Sequence, residues 1–197
     1  ATGSCDKTIK LWRFSPNGIE ATCVATLEGH IGSVRSVAFH PTAPLLATGS
    51  SDKTVKLWRF LPDGTEATCV ATMVGHCNYI WSVAFQPTAP LLATGSDDGT
   101  AKLWRFSPDG SETTCMATLS GHSVYVRSVV FHPTAPLLAT GSFDKTAKLW
   151  RFSPDGSVTT CVATLAGHSD FVRSVVFHPT APLMATASYD KPAKLWR

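Results

Sequence analysis

Residues 45–60, LLATGSSDKTVKLWRF, return almost unchanged as LLATGSDDGTAKLWRF at 91–106 and LLATGSFDKTAKLWRF at 137–152. ATGS opens at Ala1, Ala47, Ala93 and Ala139, and ATAS at Ala185, a constant step of 46 residues. A period of this length marks one supersecondary unit that cannot bury its apolar face alone and stacks on its neighbours. The chain is therefore one repeat array over residues 1–197 rather than two domains. Both ends fall at matching points of the repeat, ATGSCDKTIKLWR at 1–13 and ATASYDKPAKLWR at 185–197. With no initiator Met, these ends point to a piece of a longer array, natural or engineered.

Within one repeat the turn signals are closely spaced. Ser33–Phe39, Leu45–Ser50, Thr54–Phe60 and Thr68–Met73 read as short strands rich in β-branched and aromatic residues. They are separated by Pro41-Thr42-Ala43-Pro44, Ser51-Asp52-Lys53 and Pro62-Asp63-Gly64. No apolar period of 3.6 is sustained, so no helix is expected. In the third strand Val55 and Leu57 point one way and Trp58 and Phe60 the other. A sheet apolar on both faces must be sandwiched between two others, as a propeller blade is. The fold class is all-β, with about four blades' worth of four-stranded antiparallel sheets.

The order GH, SVxF and LATGSxDxTxKLW resembles the WD40 repeat in every copy, over the whole chain. The Asp that usually follows the Trp is Arg here, at Arg13, Arg59, Arg105, Arg151 and Arg197. The resemblance divides the array into a partial blade b-c-d (1–29), full repeats at 30–75, 76–121 and 122–167, and a partial blade a-b-c (168–197). It also implies a buried hydrogen-bond chain from Trp through a hydroxyl and His to Asp. The sets are His30, Thr48, Asp52, Trp58; His76, Thr94, Asp98, Trp104; His122, Thr140, Asp144, Trp150; and His168, Thr186, Asp190, Trp196. A His, an Asp and a hydroxyl invite a catalytic reading. Four copies, none with a separate oxyanion site, argue for structure instead, and the protein is expected not to be an enzyme.

The remaining chemistry is sparse. A net charge of +3 with no basic run excludes a nucleic-acid footprint. No apolar stretch is long enough for a membrane helix, and neither a membrane span nor a leader is expected. There is no CxxC, so neither zinc nor any other cofactor is expected. Cys23, Cys69, Cys115 and Cys161 recur in the fourth strand and read as buried small hydrophobes, suited to a reducing cytoplasm. His40, His132 and His178, with Gln86 in the second copy, read as turn residues at the end opposite the GH loops.

The copies differ chiefly at one end. Before the turn Asp stand Cys5, Ser51, Asp97, Phe143 and Tyr189; before GH stand Glu28, Val74, Ser120 and Ala166. After GH come Ile31-Gly32-Ser33, Cys77-Asn78-Tyr79, Ser123-Val124-Tyr125 and Ser169-Asp170-Phe171, and Trp81 stands where Arg35, Arg127 and Arg173 stand elsewhere. The propeller topology implied by the resemblance gathers all of these on one rim. The PTAP and SPDG loops at the other end scarcely vary. This contrast points to a binding surface for a protein or peptide on a constant scaffold. A diversified sensor array like that of immune-type receptors, or a self-assembling fragment without a natural ligand, are the alternatives.

Four blades alone would strain to close. Two chains joined head to tail as an eight-bladed ring are expected, strand d near Thr22–Leu27 of one completing the a-b-c set of the other and one b-c hairpin left over. The first blade lacks its His, which leaves Thr2 and Asp6 short of partners. Pro192, in the place of Thr, is expected to weaken the last third strand.

Overall fold

The computed structural model describes residues 1–61 and 63–197; Pro62 of the expected Pro62-Asp63-Gly64 turn lies outside the described residues. The described residues form five antiparallel sheets and no helix. The first contains β1 (Thr2–Gly3), β2 (Ile9–Phe14) and β3 (Ala21–Leu27). Three four-stranded sheets follow: β4 (Val34–Phe39), β5 (Leu45–Ser50), β6 (Val55–Phe60) and β7 (Ala67–Met73); β8 (Ile80–Phe85), β9 (Leu91–Ser96), β10 (Ala101–Phe106) and β11 (Thr113–Leu119); β12 (Val126–Phe131), β13 (Leu137–Ser142), β14 (Ala147–Phe152) and β15 (Thr159–Leu165). The last has β16 (Val172–Phe177), β17 (Met184–Ser188) and β18 (Ala193–Trp196). Strands pair in chain order within every sheet, as propeller blades do.

Each four-stranded sheet is covered on both faces, and β5 is buried at all six positions. Val55 and Leu57 pack forward with Ile80, Val83 and Leu92 of the next sheet. Trp58 and Leu46 pack backward with Ile9, Leu11 and Leu27 of the preceding one. The sheets approach closely because the second strand of each carries a glycine at the contact. A Cβ on Gly49 would lie 2.6 Å from Ile80 Cγ2, and one on Gly95 2.9 Å from Val126 Cγ1. The same position in the last sheet is Ala187, and it is exposed. Hydrogen bonds add to the junctions, from the Val83 amide to Ser36 Oγ at 3.1 Å and from the Val129 amide to Ser82 Oγ at 3.1 Å.

The loops opposite the rim are also built into these junctions. A Cβ on Gly110 of one SPDG turn would meet Leu45 and Val70 of the preceding sheet, and one on Gly156 would meet Leu91. Arg105, in the place of the family's usual Asp, donates to the Asp155 carbonyl at 2.8 Å, and Arg13 donates to that of Asp63. His40 packs its ring edge-on against Phe85 and Phe106 of the next sheet, while its Nδ1 accepts the Ala43 amide at 2.8 Å. Gln86 does the same work, its Oε1 accepting the Thr88 amide at 2.5 Å and that of Ala89. The constancy of these loops therefore has a packing cause.

Three expectations are corrected. Cys23, Cys69, Cys115 and Cys161 are exposed, as are Cys5 and Cys77. They sit on the outermost strands, where a bulge opposite each third strand leaves Val24, Val70, Met116 and Val162 as the unpaired residues. Val24 and Val70 pack into cores, and the thiols face water. Asp6 and Thr2 are exposed rather than stranded. The Thr8 amide and hydroxyl both donate to Asp6 Oδ1, and Thr2 Oγ1 accepts the Trp12 indole at 2.9 Å. Pro192 leaves the register of β18 intact, since Ala193 pairs with Ala187 as Ala147 does with Gly141. Its effect lies in the turn instead.

Replacing Gly95 by Ala is expected to force the second and third four-stranded sheets apart and to lower stability by about 1–3 kcal/mol. Ala187→Gly, at the matching exposed position, should change it far less. Urea unfolding followed by far-UV circular dichroism measures both.

Candidate functional site

Two sets of polar and aromatic residues repeat through the array, and the structure separates them. In the first, Trp58 Nε1 donates to Thr48 Oγ1 at 2.9 Å, His30 Nε2 lies 2.7 Å from the same oxygen, and His30 Nδ1 lies 2.7 Å from Asp52 Oδ2. A carboxylate only accepts, so His30 carries its proton on Nδ1 and its Nε2 accepts the Thr48 hydroxyl. The chain then runs in one direction, from indole to hydroxyl to imidazole to carboxylate. It is repeated through Trp104, Thr94, His76 and Asp98; Trp150, Thr140, His122 and Asp144; and Trp196, Thr186, His168 and Asp190.

Asp52 also accepts the Ile31 amide at 3.0 Å and the Thr54 amide and hydroxyl, joining the GH loop to the turn after the second strand. Asp190 is the exception. Its Oδ1 is buried with no partner, because Pro192 has neither the amide nor the hydroxyl that Thr54, Thr100 and Thr146 supply. Thr48, Thr94 and Thr140 are fully buried and their hydroxyl protons are spent on the imidazoles. None of these three threonines is open to solvent. Burial holds the His30 and His122 imidazoles below their ordinary range, so they stay neutral. Burial raises the Asp52 carboxyl, but hydrogen bonds from Thr54 and His30 outweigh it and keep the group below its usual range.

The second set lies on the rim. The Ser51, Asp97, Phe143 and Tyr189 amides bond the carbonyls of Ser33, Tyr79, Tyr125 and Phe171, so the two variable loops of each sheet share one edge. Just beyond, a bulge leaves Arg35, Trp81, Arg127 and Arg173 out of the ladder of each first strand. Bulges re-aim side chains, and here they bring residues of successive sheets together. Arg35 and Arg127 both lie over the Trp81 ring, their Cζ atoms 5.0 and 4.0 Å from its centre. The Trp81 indole N–H donates to Asp97 Oδ1. Phe143 stacks on Phe171 at 4.4 Å, with Tyr125 on one side and Tyr189 on the other, and Arg173 Cζ lies 4.8 Å from the Tyr189 ring.

Not every expected rim residue joins this surface. Ile31 and Val74 stand out into water, 82% and 74% exposed, and Glu28, Val124 and Cys5 are exposed as well. Asn78 and Asp170 turn their side chains back to the next amide, at Tyr79 and Phe171. Arg35 belongs to the cluster with Arg127, at the position where Trp81 is the one departure.

The WD domain, G-beta repeat family model matches residues 21–59, 67–105, 113–151 and 159–197. The chain belongs to the WD40 family. The matched WD40 unit starts at the fourth strand of one sheet and ends at the third strand of the next. Among curated relatives, a stretch of 46 residues is 50% identical to the nuclear distribution protein PAC1 of Fusarium vanettenii, covering 23% of this chain and 9% of that protein. A stretch of 41 residues is 54% identical to the nuclear distribution protein nudF 2 of Aspergillus clavatus, covering 21% and 8%. PAC1 of Cryptococcus neoformans var. neoformans is 48% identical over 42 residues, covering 21% and 9%. Each match spans under a tenth of the relative's length. No helix among the described residues is long and apolar enough to cross a membrane.

The His30 and His122 imidazoles set the pH dependence. Their folded values lie below the ordinary value of about 6.5, so on acidification the unfolded chain takes up protons first. Thermal melting points are expected to be level above about pH 6.5 and to fall steadily below it. Protonation of Asp52 and Asp144 adds a further loss below about pH 4. Scanning calorimetry across the acid range checks this course.

Proposed function

We propose that this chain is a non-enzymatic interaction scaffold that binds a protein or peptide segment across the variable rim. One observation supports the reading above the others: side chains at the variable end come from successive sheets into two groups of aromatics and guanidiniums, one around Trp81 and one around the Phe143–Phe171 stack. Tyr, Trp and Arg dominate the energetics of protein interfaces because they bury large area at modest conformational cost. Tyr125 and Tyr189 remain 42% and 51% exposed, which leaves that area available. Near-identity of the scaffold strands with change confined to these loops also favours a diversified recognition array as a second reading. Six unpaired thiols suit a reducing compartment such as the cytoplasm.

The triple variant Trp81→Ala, Phe143→Ala, Tyr189→Ala should lose partner capture while its far-UV spectrum stays that of the wild type. Altering Asp109 and Asp155, at the other end, should leave capture intact. Capture that survives the triple change overturns the rim assignment.

Self-association follows from the two outer sheets. Trp12 and Phe14 at one end are 39% and 70% exposed, and Val176 and Leu195 at the other 53% and 75%. An apolar cavity of about 200 Å³ opens beside Leu149, Leu165, Phe177, Met184 and Trp196. A second copy docked head to tail removes these surfaces from water, and twofold symmetry closes the pair. Light scattering should give twice the 21.1 kDa of one chain. A cooperative melt at the single-chain mass overturns the dimer.

A further inference from the structure

The rim carries a charge imbalance as well as an apolar ledge. Arg35 and Arg127 meet over Trp81, Arg173 lies over Tyr189, and the charges of Arg35 and Arg173 both act on Arg127. Among the described residues none of the three makes an ion pair, since every ion pair found is a buried His–Asp contact. Each guanidinium presents five N–H donors in a rigid fork matched to an oxyanion. Asp97 is the acidic side chain within the cluster, and one of its oxygens is occupied by the Trp81 indole. Arg127 is half-buried, and its burial, together with the charges of Arg173 and Arg35, works against its own positive charge more than Tyr189 and Asp97 support it. Packing against the rings holds the guanidiniums in place before any ligand arrives, which reduces the ordering cost of binding. Beside this cluster, on the adjoining sheets, the Phe143–Phe171 stack offers a flat apolar face.

We infer that the rim reads a peptide segment in which an oxyanion side chain, carboxylate or phosphate, docks among Arg35, Arg127 and Arg173 and an adjoining apolar residue covers Phe143 and Phe171. This deepens the proposed scaffold function by giving the bound segment a chemistry, and it rests on that reading. A peptide is favoured over a nucleic acid because the three guanidiniums form a compact group over two rings rather than a long basic stripe. The chain as a whole carries only +3, and a nucleic-acid site tracks many phosphates along a basic stripe.

The test uses the full chain immobilised and three synthetic peptide pools, identical except for a fixed central Glu, phosphoserine or Gln, with randomised apolar neighbours. Retention of the Glu or the phosphoserine pool should exceed that of the Gln pool by about tenfold or more, as a charge-assisted bond of about 1.5 kcal/mol or more implies. Which of the two is retained identifies the source of the oxyanion. The preference should shrink with added salt and vanish in Arg127→Gln and Arg173→Gln, both checked for folding by melting point. Phe143→Ala should weaken all three pools together. Equal retention of the Gln pool, retention of no pool, or a preference unchanged in the folded Arg127→Gln variant overturns the inference. So does tighter binding of a labelled single-stranded oligonucleotide than of the anionic pools. If it fails while the Trp81, Phe143, Tyr189 variant still loses partner capture, the scaffold reading stands without its anionic ligand.

Discussion

The distance between neighbouring sheets governs everything else in this molecule, and it is set where Gly49 faces Ile80 and Val83. A side chain there would hold the next first strand away, and the forward core of Val55, Leu57 and Leu92 would open. The same approach lets Ser36 reach the Val83 amide and lets the bulged residues of successive first strands touch. Arg35, Trp81 and Arg127 belong to three different sheets, so their contact measures how tightly those sheets are packed. The recognition surface is thus a by-product of scaffold geometry, and any change that loosens a junction also disperses the rim.

The polar chain of Trp, Thr, His and Asp serves that geometry in a different way. Each loop before a first strand would otherwise be free to swing, yet Asp52 holds both the Ile31 amide and the His30 ring. Its buried groups satisfy one another in sequence, which makes the network stabilising only while every member is present. The last sheet illustrates the cost of an omission, where Asp190 keeps its His168 contact but has one oxygen without a partner.

Much of this was legible in the sequence, because a repeat written four times carries its own alignment. Strand positions, the two-faced burial of the third strand and the rim end of each blade all followed from period, turn residues and family resemblance. The errors share a cause. Burial of the cysteines was inferred from composition, whereas a bulge in the fourth strand decides which of two adjacent residues faces the core, and no residue type signals it. Constancy of the SPDG loops served only as a contrast to the rim, whereas it has a cause of its own, since Gly110 and Gly156 lie against the preceding sheet. Gln86 looked like a departure from His, yet the turn needs only an acceptor, which either side chain provides. The meeting of Arg35 and Arg127 over Trp81 was not legible, because contacts between sheets are invisible to a comparison made position by position.

The matched family unit begins on one sheet and finishes on the next, so covalent and hydrogen-bonded boundaries are out of step by one strand. At each GH loop the backbone bridges two sheets, and at each junction of third and fourth strands a ladder such as that from Val55–Met73 to Phe60–Ala67 bridges two units. There is no point along the interior of the chain where both kinds of connection lapse together. The array therefore behaves like overlapped planking rather than beads on a string: severing the chain between a third and a fourth strand leaves the pieces fastened by the ladder they share.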